Sequence, residues 1–400
     1  MRKWGLLTLV GVLMITNCVI ARRRLSQQEN LELELQLKLL NKPALKTVKT
    51  EHGDVYDCVD FYKQPAFDNP LLKDHDFHFD MKPNHEIQKL TTRESKDLSS
   101  DKIKAFEFKG VGCPHGTVPI KRTTKEDLMR LRNSTGSIIH PQTDAEPGLH
   151  FAGAQVNNKK LDNTMKLGGA EAYFSLYQTP DVGQLQFSSG LIKVAAGDDF
   201  IKAGWTVNPT LYGDNRCRLF VYLKTKKERC FNTNCPGFVV KNSEIPLGHV
   251  FKVSKPDEIM EARFYIFRFW LYYFFNYKDI ASGNWWLRLG DTDVGFWPIQ
   301  TLVGLGDTAT DIYWGGDVFS VPNSKSCPMG NGKTMTGPYP KLYAYARGVS
   351  VLDENKGAVL ESVDDRNDLV SDIGMSYVLQ SLDGWGKTIF FGGPSGVFGK

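Results

Sequence analysis

The sequence predicts a mainly β protein, a sandwich or barrel of antiparallel sheets, and three observations lead there. Glycine is frequent, at 37 of 400 residues, and aromatic residues make up 12% of the chain, a balance suited to a turn-rich β architecture. From about residue 150 onward, short runs alternate apolar and polar residues: "AEAYFSLYQ", "FIKAGWTVNP", "CRLFVYLKT", "GFVVKNSEIPLG", "NWWLRLGDTDVGFWP", "DIYWGGDVFS" and "YAYARGVSVLD". Gly, Asn, Asp and Pro punctuate these runs, which is how a series of short strands joined by turns reads.

Composition sets further bounds. A chain of 400 residues, 41% of them hydrophobic, has material for a sizeable core and for roughly two or three folding units. Its 49 Lys and Arg against 45 Asp and Glu leave a net charge of +4 with no strong basic block. Nucleic acid is therefore excluded as a partner on electrostatic grounds.

Residues 1–21 read as a secretory signal. Arg2 and Lys3 form a basic start, Gly5 to Ile15 an apolar stretch, and Val19-Ile20-Ala21 a cleavage site before Arg22. An uncleaved signal-anchor is the competing reading, since apolar residues continue to Ile20. After signal removal no membrane span is expected. Six cysteines then remain of the seven: Cys58, Cys113, Cys217, Cys230, Cys235 and Cys327. An even count in an oxidising compartment points to disulfides. Asn133-Ser134-Thr135 supplies an N-glycosylation acceptor in the same compartment. No CxxC pair or ordered His partner supports zinc, and neither metal nor cofactor is expected.

The stretch between the signal and residue 148 lacks long apolar runs. In "LSQQENLELELQLKLLNKP" the leucines alternate as in a strand, yet the residues are good helix formers without a β-branched member. A helix ended by Asn41-Lys42-Pro43 is expected there. A hairpin turning at Gly53-Asp54 follows, and Cys113 precedes a short strand and a short helix. From Lys73 to Ser100 the texture is that of a charged loop. Its His75, His78 and His85 have no fixed helical spacing, so a solvated loop outweighs a metal site. Residues 262–277, "ARFYIFRFWLYYFFNY", are too short to span a membrane and carry Arg263 and Arg268. They suit a partner surface or a buried strand with its flanks.

Several motifs in order resemble one family. "LKLLNKPALKTVKTEHGDVYDCVDFYKQPAFDNPLLKDH" and "GCPHGTVPIKRTTKEDLMR" resemble the activation-peptide region of neprosins, secreted proteins best known from plants. "AGWTVNPTLYGDNRCRLFVYL", "CFNTNCPGFV", "SGNWWLRLGDTDVGFWP", "DIYWGGDVFS" and "IFFGGPSG" are similar to successive signatures of their catalytic domain. The resemblance implies a β-sandwich of two antiparallel sheets over residues 149–400, preceded by a mixed helix and hairpin pro-segment over 22–148 that covers the cleft until removed. It also implies a glutamic peptidase that cleaves at proline in acid, and the pairings Cys58–Cys113 and Cys230–Cys235. Cys217 and Cys327 have no family counterpart and are left to pair with each other.

Peptide hydrolysis by carboxylates needs one group to take a proton from water and another to stabilise the tetrahedral oxygen. The resemblance places one Glu just before Ala-Gly-Trp and the other after Trp-Gly-Gly. In this sequence those positions hold Lys202 and Asp317. An ammonium has donors but no acceptor, so a Lys202–Asp317 ion pair is the expected outcome. Asp198 and Asp199 fall near a turn, beyond the cleft. Trp205, Tyr212 and Trp314 are the candidates to line the cleft and to bind proline-containing peptides or cell-wall proteins through their aromatic faces, with the core an equal reading for Trp205 and Trp314. Trp285 and Trp286 are expected in the core. The implied protein is secreted, to the extracellular space, cell wall or vacuole, with its peptidase activity impaired. An active acid prolyl endopeptidase and a structural family copy without peptide binding are the alternatives.

Overall fold

Residue parity along each strand decides which side chains face the core and which face the site. The structure, a computed structural model, describes residues 26–83, 103–105, 112–132, 148–161, 165–268, 283–333, 343–356, 359–362, 368–371, 378–382 and 385–396. Residues 1–21, expected as a signal, and His85 and Asn133 lie outside them.

The ambiguous leucine-rich stretch is helix α1 (Gln27–Leu40). Its start is fixed by a capping box: Ser26 Oγ accepts from the Glu29 N–H, and Glu29 Oε2 accepts from the Ser26 N–H. The Ser-x-x-Glu signal that settles helix over strand thus stands in the sequence. This helix belongs to a unit ending at Asn41.

From Lys42 onward the described residues belong to a second unit. Its N-terminal part carries β1 (Ala44–Lys49), β2 (Val55–Asp60), β3 (Ile103–Ala105), β4 (Thr117–Lys121) and helix α2 (Lys125–Arg132). Then come β5 (Leu149–Asn157), β6 (Leu167–Ser175), β7 (Gln186–Ala196), β8 (Asp199–Val207), β9 (Arg218–Lys224), β10 (Arg229–Phe231), β11 (Val239–Val240) and β12 (Ile259–Arg268). The chain closes with β13 (Trp285–Leu289), β14 (Thr292–Trp297), β15 (Asp311–Ser320), β16 (Ala344–Asp353), β17 (Val359–Ser362), β18 (Asp368–Ser371), β19 (Val378–Leu382) and β20 (Gly386–Phe391). The first part of the aromatic run 262–277 is buried strand β12; its remainder lies outside the described residues.

Three sheets result. A small one runs β1-β2-β4, with the hairpin turning where Gly53 takes φ +87°. A seven-stranded sheet runs β10-β9-β8-β7-β15-β5-β18. A ten-stranded sheet runs β11-β14-β13-β12-β6-β16-β20-β19, with β17 beside β16 and β3 beside β12. Pairing is antiparallel throughout, except that β3 runs parallel to β12. Ile201, Ala203 and Trp205 from the seven-stranded sheet share one apolar core with Ala172, Phe174 and Phe264 from the ten-stranded one. This is the antiparallel β-sandwich the sequence led us to expect.

The N-terminal part feeds the same core. Val59, Phe61, Leu72, Phe77, Val118 and Ile120 all join it, and the Phe77 ring meets Phe296 edge-on at 5.0 Å. Cys58–Cys113 and Cys230–Cys235 form disulfides. Cys217 and Cys327 do not pair; both are free and buried. The Cys327 thiol instead donates to the Phe187 carbonyl at 3.2 Å, and burial pushes it up to about 12. Burial likewise raises Cys217.

Candidate functional site

Along β8, Ile201, Ala203, Trp205 and Val207 point into the main core, while Phe200 belongs to a separate apolar cluster. Alternation puts Lys202, Gly204 and Thr206 on the same side as Phe200, the face turned away from the ten-stranded sheet. The same parity on β15 sends Ile312, Trp314 and Val318 inward and Asp317 outward.

Across that outer face the register forms three rows. One holds Lys202, Lys193, Tyr313 and Gln155; another holds Thr206, Ser189, Asp317 and Phe151. Between them run Gly204, Leu191, Gly315 and Gly153. The three glycines leave a furrow free of side chains, apart from Leu191. Their place admits nothing larger: a Cβ would fall 2.0 Å from the Gly190 carbonyl oxygen at Gly204 and 2.0 Å from that of Trp314 at Gly153. Lys202 reaches across this furrow, and its Nζ lies 2.9 Å from Asp317 Oδ2.

The pair is enclosed, with Lys202 8% and Asp317 3% exposed. Asp317 Oδ1 is buried without a hydrogen-bond partner among the described residues. Beside it, Ser189 Oγ donates to Thr206 Oγ1 at 3.0 Å. Lys193, directly opposite Lys202, has its ammonium 4.8 Å from the Phe200 ring and 4.4 Å from the Tyr313 ring. No local pattern marks Ser189 or Lys193, which only strand pairing brings to the face. Thr206 could have been found by counting two residues on from Gly204.

Two of the three aromatic residues expected here are elsewhere. Trp205 and Trp314 are fully buried between the sheets, with Trp314 Nε1 donating to the Glu171 carbonyl at 3.2 Å. Their parity is opposite to that of Lys202 and Asp317, so neither can line the site. Trp285 and Trp286 are also buried, as expected. Tyr212 does belong to the cluster on this face, with Leu191, Phe200, Phe220, Tyr222 and Phe231. Its hydroxyl accepts from Asn232 Nδ2 at 2.8 Å, and burial raises its pKa. Leu131 of α2 and Phe151 pack against this cluster, and Arg130 Nε donates to the Thr210 carbonyl at 2.9 Å.

Among the described residues, no other carboxylate pairs with Lys202. Asp311 shares the face but stands six residues along β15, roughly 20 Å off at strand spacing, and accepts from Gln155 Nε2 at 2.7 Å. Asp199 accepts from the Gly304 N–H at 2.7 Å. Among the described residues no three His, Cys, Asp or Glu side chains gather as a metal site. His75 lies ring to ring with Phe67 at 4.0 Å, and its Nδ1 accepts from the Phe77 N–H.

Among solved structures, the chain is similar to the scytalido-glutamic peptidase bound to a peptide-based transition-state analogue. That likeness has 9% identity and a TM-score of 0.32, over 60% of this chain and 97% of that one. It is similar to SCP-B, a member of the eqolisin family of peptidases in complex with the tripeptide Ala-Ile-His. Here identity is 8% and the TM-score 0.30, over 60% of this chain and 96% of that one. In sequence, residues 47–154 match the neprosin activation peptide and residues 184–394 match the neprosin domain. The chain belongs to the neprosin family.

Proposed function

We propose that this chain is a secreted neprosin-type protein that has lost most or all glutamic peptidase activity and keeps its outer sheet face for binding proline-containing peptides. In this reading residues 1–21 direct secretion, 22–148 form the pro-segment, and 149–400 form the peptidase-like domain.

The carrying observation is the contact between Lys202 Nζ and Asp317 Oδ2 at 2.9 Å. A glutamic mechanism needs a carboxylate free to accept a proton from water and a second acid to serve the oxyanion. Lys202 can accept no proton while charged, and Asp317 gives one oxygen to the ammonium. Asp317 is also a methylene shorter than Glu, and a displacement of about 1 Å can cost roughly a hundredfold in rate. Binding is favoured by two features: Asp317 Oδ1, an unmet acceptor for a peptide N–H, and the adjacent aromatic cluster that includes Tyr212. Leu131 packs against that cluster, so a peptide enters only where α2 yields.

The test is cleavage of a proline-containing fluorogenic peptide at low pH, with wild type beside a Lys202→Glu, Asp317→Glu double variant. Activity in the double variant and none in the wild type is expected. Robust wild-type turnover that Asp317→Ala abolishes would overturn the loss of catalysis. Calorimetry with a polyproline peptide tests binding, and absence of heat at saturating peptide removes that half of the reading.

A further inference from the structure

A cavity of about 450 Å³ opens at one end of the seven-stranded sheet, where β7 turns into β8 and β9 into β10. Its walls come from residues 196–199, from the loop 225–228, and from Thr301, Val303 and Gly304 after β14. Asn69 and Leu71 complete the lining. These two lie in the stretch that matches the activation peptide, and the other walls in the stretch that matches the neprosin domain. The volume is that of a small-molecule pocket.

The polar side chains of this lining are already engaged. Asn69 Oδ1 accepts from the Leu71 N–H at 3.0 Å, and its Nδ2 donates to the Pro236 carbonyl at 3.0 Å. Thr225 Oγ1 accepts from the Lys227 and Glu228 N–H groups at 3.2 and 3.0 Å. Thr301 Oγ1 donates to the Pro298 carbonyl at 2.8 Å, and Asp199 Oδ2 accepts from the Gly304 N–H at 2.7 Å. The rim charges answer one another: Lys226 Nζ stands 3.6 Å from Asp198 Oδ2, and Lys227 is the cation beside Glu228. Burial raises the Glu228 carboxyl above its ordinary range, against the pull of Lys227. What is left open is apolar. Leu71 is 60% exposed and Val303 88%, two large hydrophobic side chains held in water at one mouth. Such residues scattered singly need no explanation, but a pair flanking a cavity does.

We propose that this cavity is a binding site for an uncharged, apolar small molecule, with Leu71 and Val303 as its apolar contacts. A charged or strongly polar ligand would lose its hydration without meeting an open partner among these side chains, which is costly. An apolar one gains by covering Leu71 and Val303. Because the walls come from both matched stretches, a bound molecule favours the form in which both are in place. The site stands whether or not the Lys202–Asp317 face cleaves or binds peptides.

Fluorescence titration of the full chain with N-phenyl-1-naphthylamine, an uncharged dye that brightens in apolar surroundings, tests the assignment. Saturable binding of one equivalent is expected, weakened roughly tenfold in Leu71→Asp and in Val303→Asp, where the apolar contact is lost. Both residues are exposed, so neither change disturbs the core. Leu45→Asp, at an exposed leucine outside the cavity, should bind as the wild type does. The anionic dye 8-anilinonaphthalene-1-sulfonate has the same rings with a sulfonate added, and is expected to bind more weakly. Absence of saturable binding, or equal binding by the wild type and both cavity variants, overturns the site. Equal weakening in Leu45→Asp places the dye elsewhere and overturns it too. Tighter binding of the sulfonate than of the neutral dye overturns the uncharged class.

Discussion

Asp317 and Lys202 each keep the other tolerable inside the protein. Removing one leaves a buried charge unmatched, so Asp317→Ala is expected to destabilise the fold by about 3–5 kcal/mol in urea unfolding. Replacing both, as Lys202→Met with Asp317→Leu, should return close to wild-type stability, because a well-packed apolar pair needs no desolvation. The two positions were legible in the sequence because they sit inside recognisable flanks, "FIKAGWTVNP" and "YWGGDVFS". The inward placement of Trp205 and Trp314 is legible as well. Each lies an odd number of residues from its charged neighbour, three in both cases, which on a strand means opposite faces. Lys193 and Ser189 are different: they stand beside the pair only because β7 separates β8 from β15, an order no local pattern announces.

At the scale of elements, the glycine row is what lets the long lysine side chain cross to the aspartate. A methyl at Gly204 would meet the Gly190 carbonyl at 2.0 Å, a backbone atom that cannot rotate away. Gly204→Ala is therefore expected to cost at least about 1–3 kcal/mol and to push β7 from β8, with a lower thermal midpoint as the readout. The disulfides divide by loop length. Cys58–Cys113 spans 55 residues and Cys230–Cys235 only 5. Loop-entropy arguments give about 4 kcal/mol for the first and about 2 for the second. Replacing each pair by serine, in separate variants, should preserve that ranking in urea midpoints. The strands themselves were legible from alternation after residue 150. The helix over 27–40 was legible from Ser26 and Glu29, whereas the fate of Cys217 and Cys327 was not, because evenness of count says nothing about which thiols meet.

For the whole molecule, acid acts in two opposed senses. Burial pushes Glu354 from 4.5 up to about 7, against Arg268 and Lys166 and with help from Asp307 and Asp353. A raised carboxyl stabilises the fold below its unfolded value, and that contribution is lost as pH rises from 4.5 to about 7. His249 runs the other way: burial, then His52 and Arg218, hold it down from 6.5 to about 4, against Asp54. The fold keeps this imidazole neutral, so stability falls as pH drops from 6.5 to about 4. Urea midpoints across pH 4.5–6.5 should therefore fall more steeply with acid in Glu354→Gln and less steeply in His249→Gln. The family motifs were legible along the chain, while the depth to which residues such as Phe61, Leu72 and Phe77 are built into the core was not. That depth depends on residues such as Gln64, which look like unremarkable loop in one dimension. Gln64 closes the outermost strand of the large sheet, β11, with both atoms of its amide. Without Gln64, the Val240 N–H and carbonyl at this two-residue edge would turn to water for their partners.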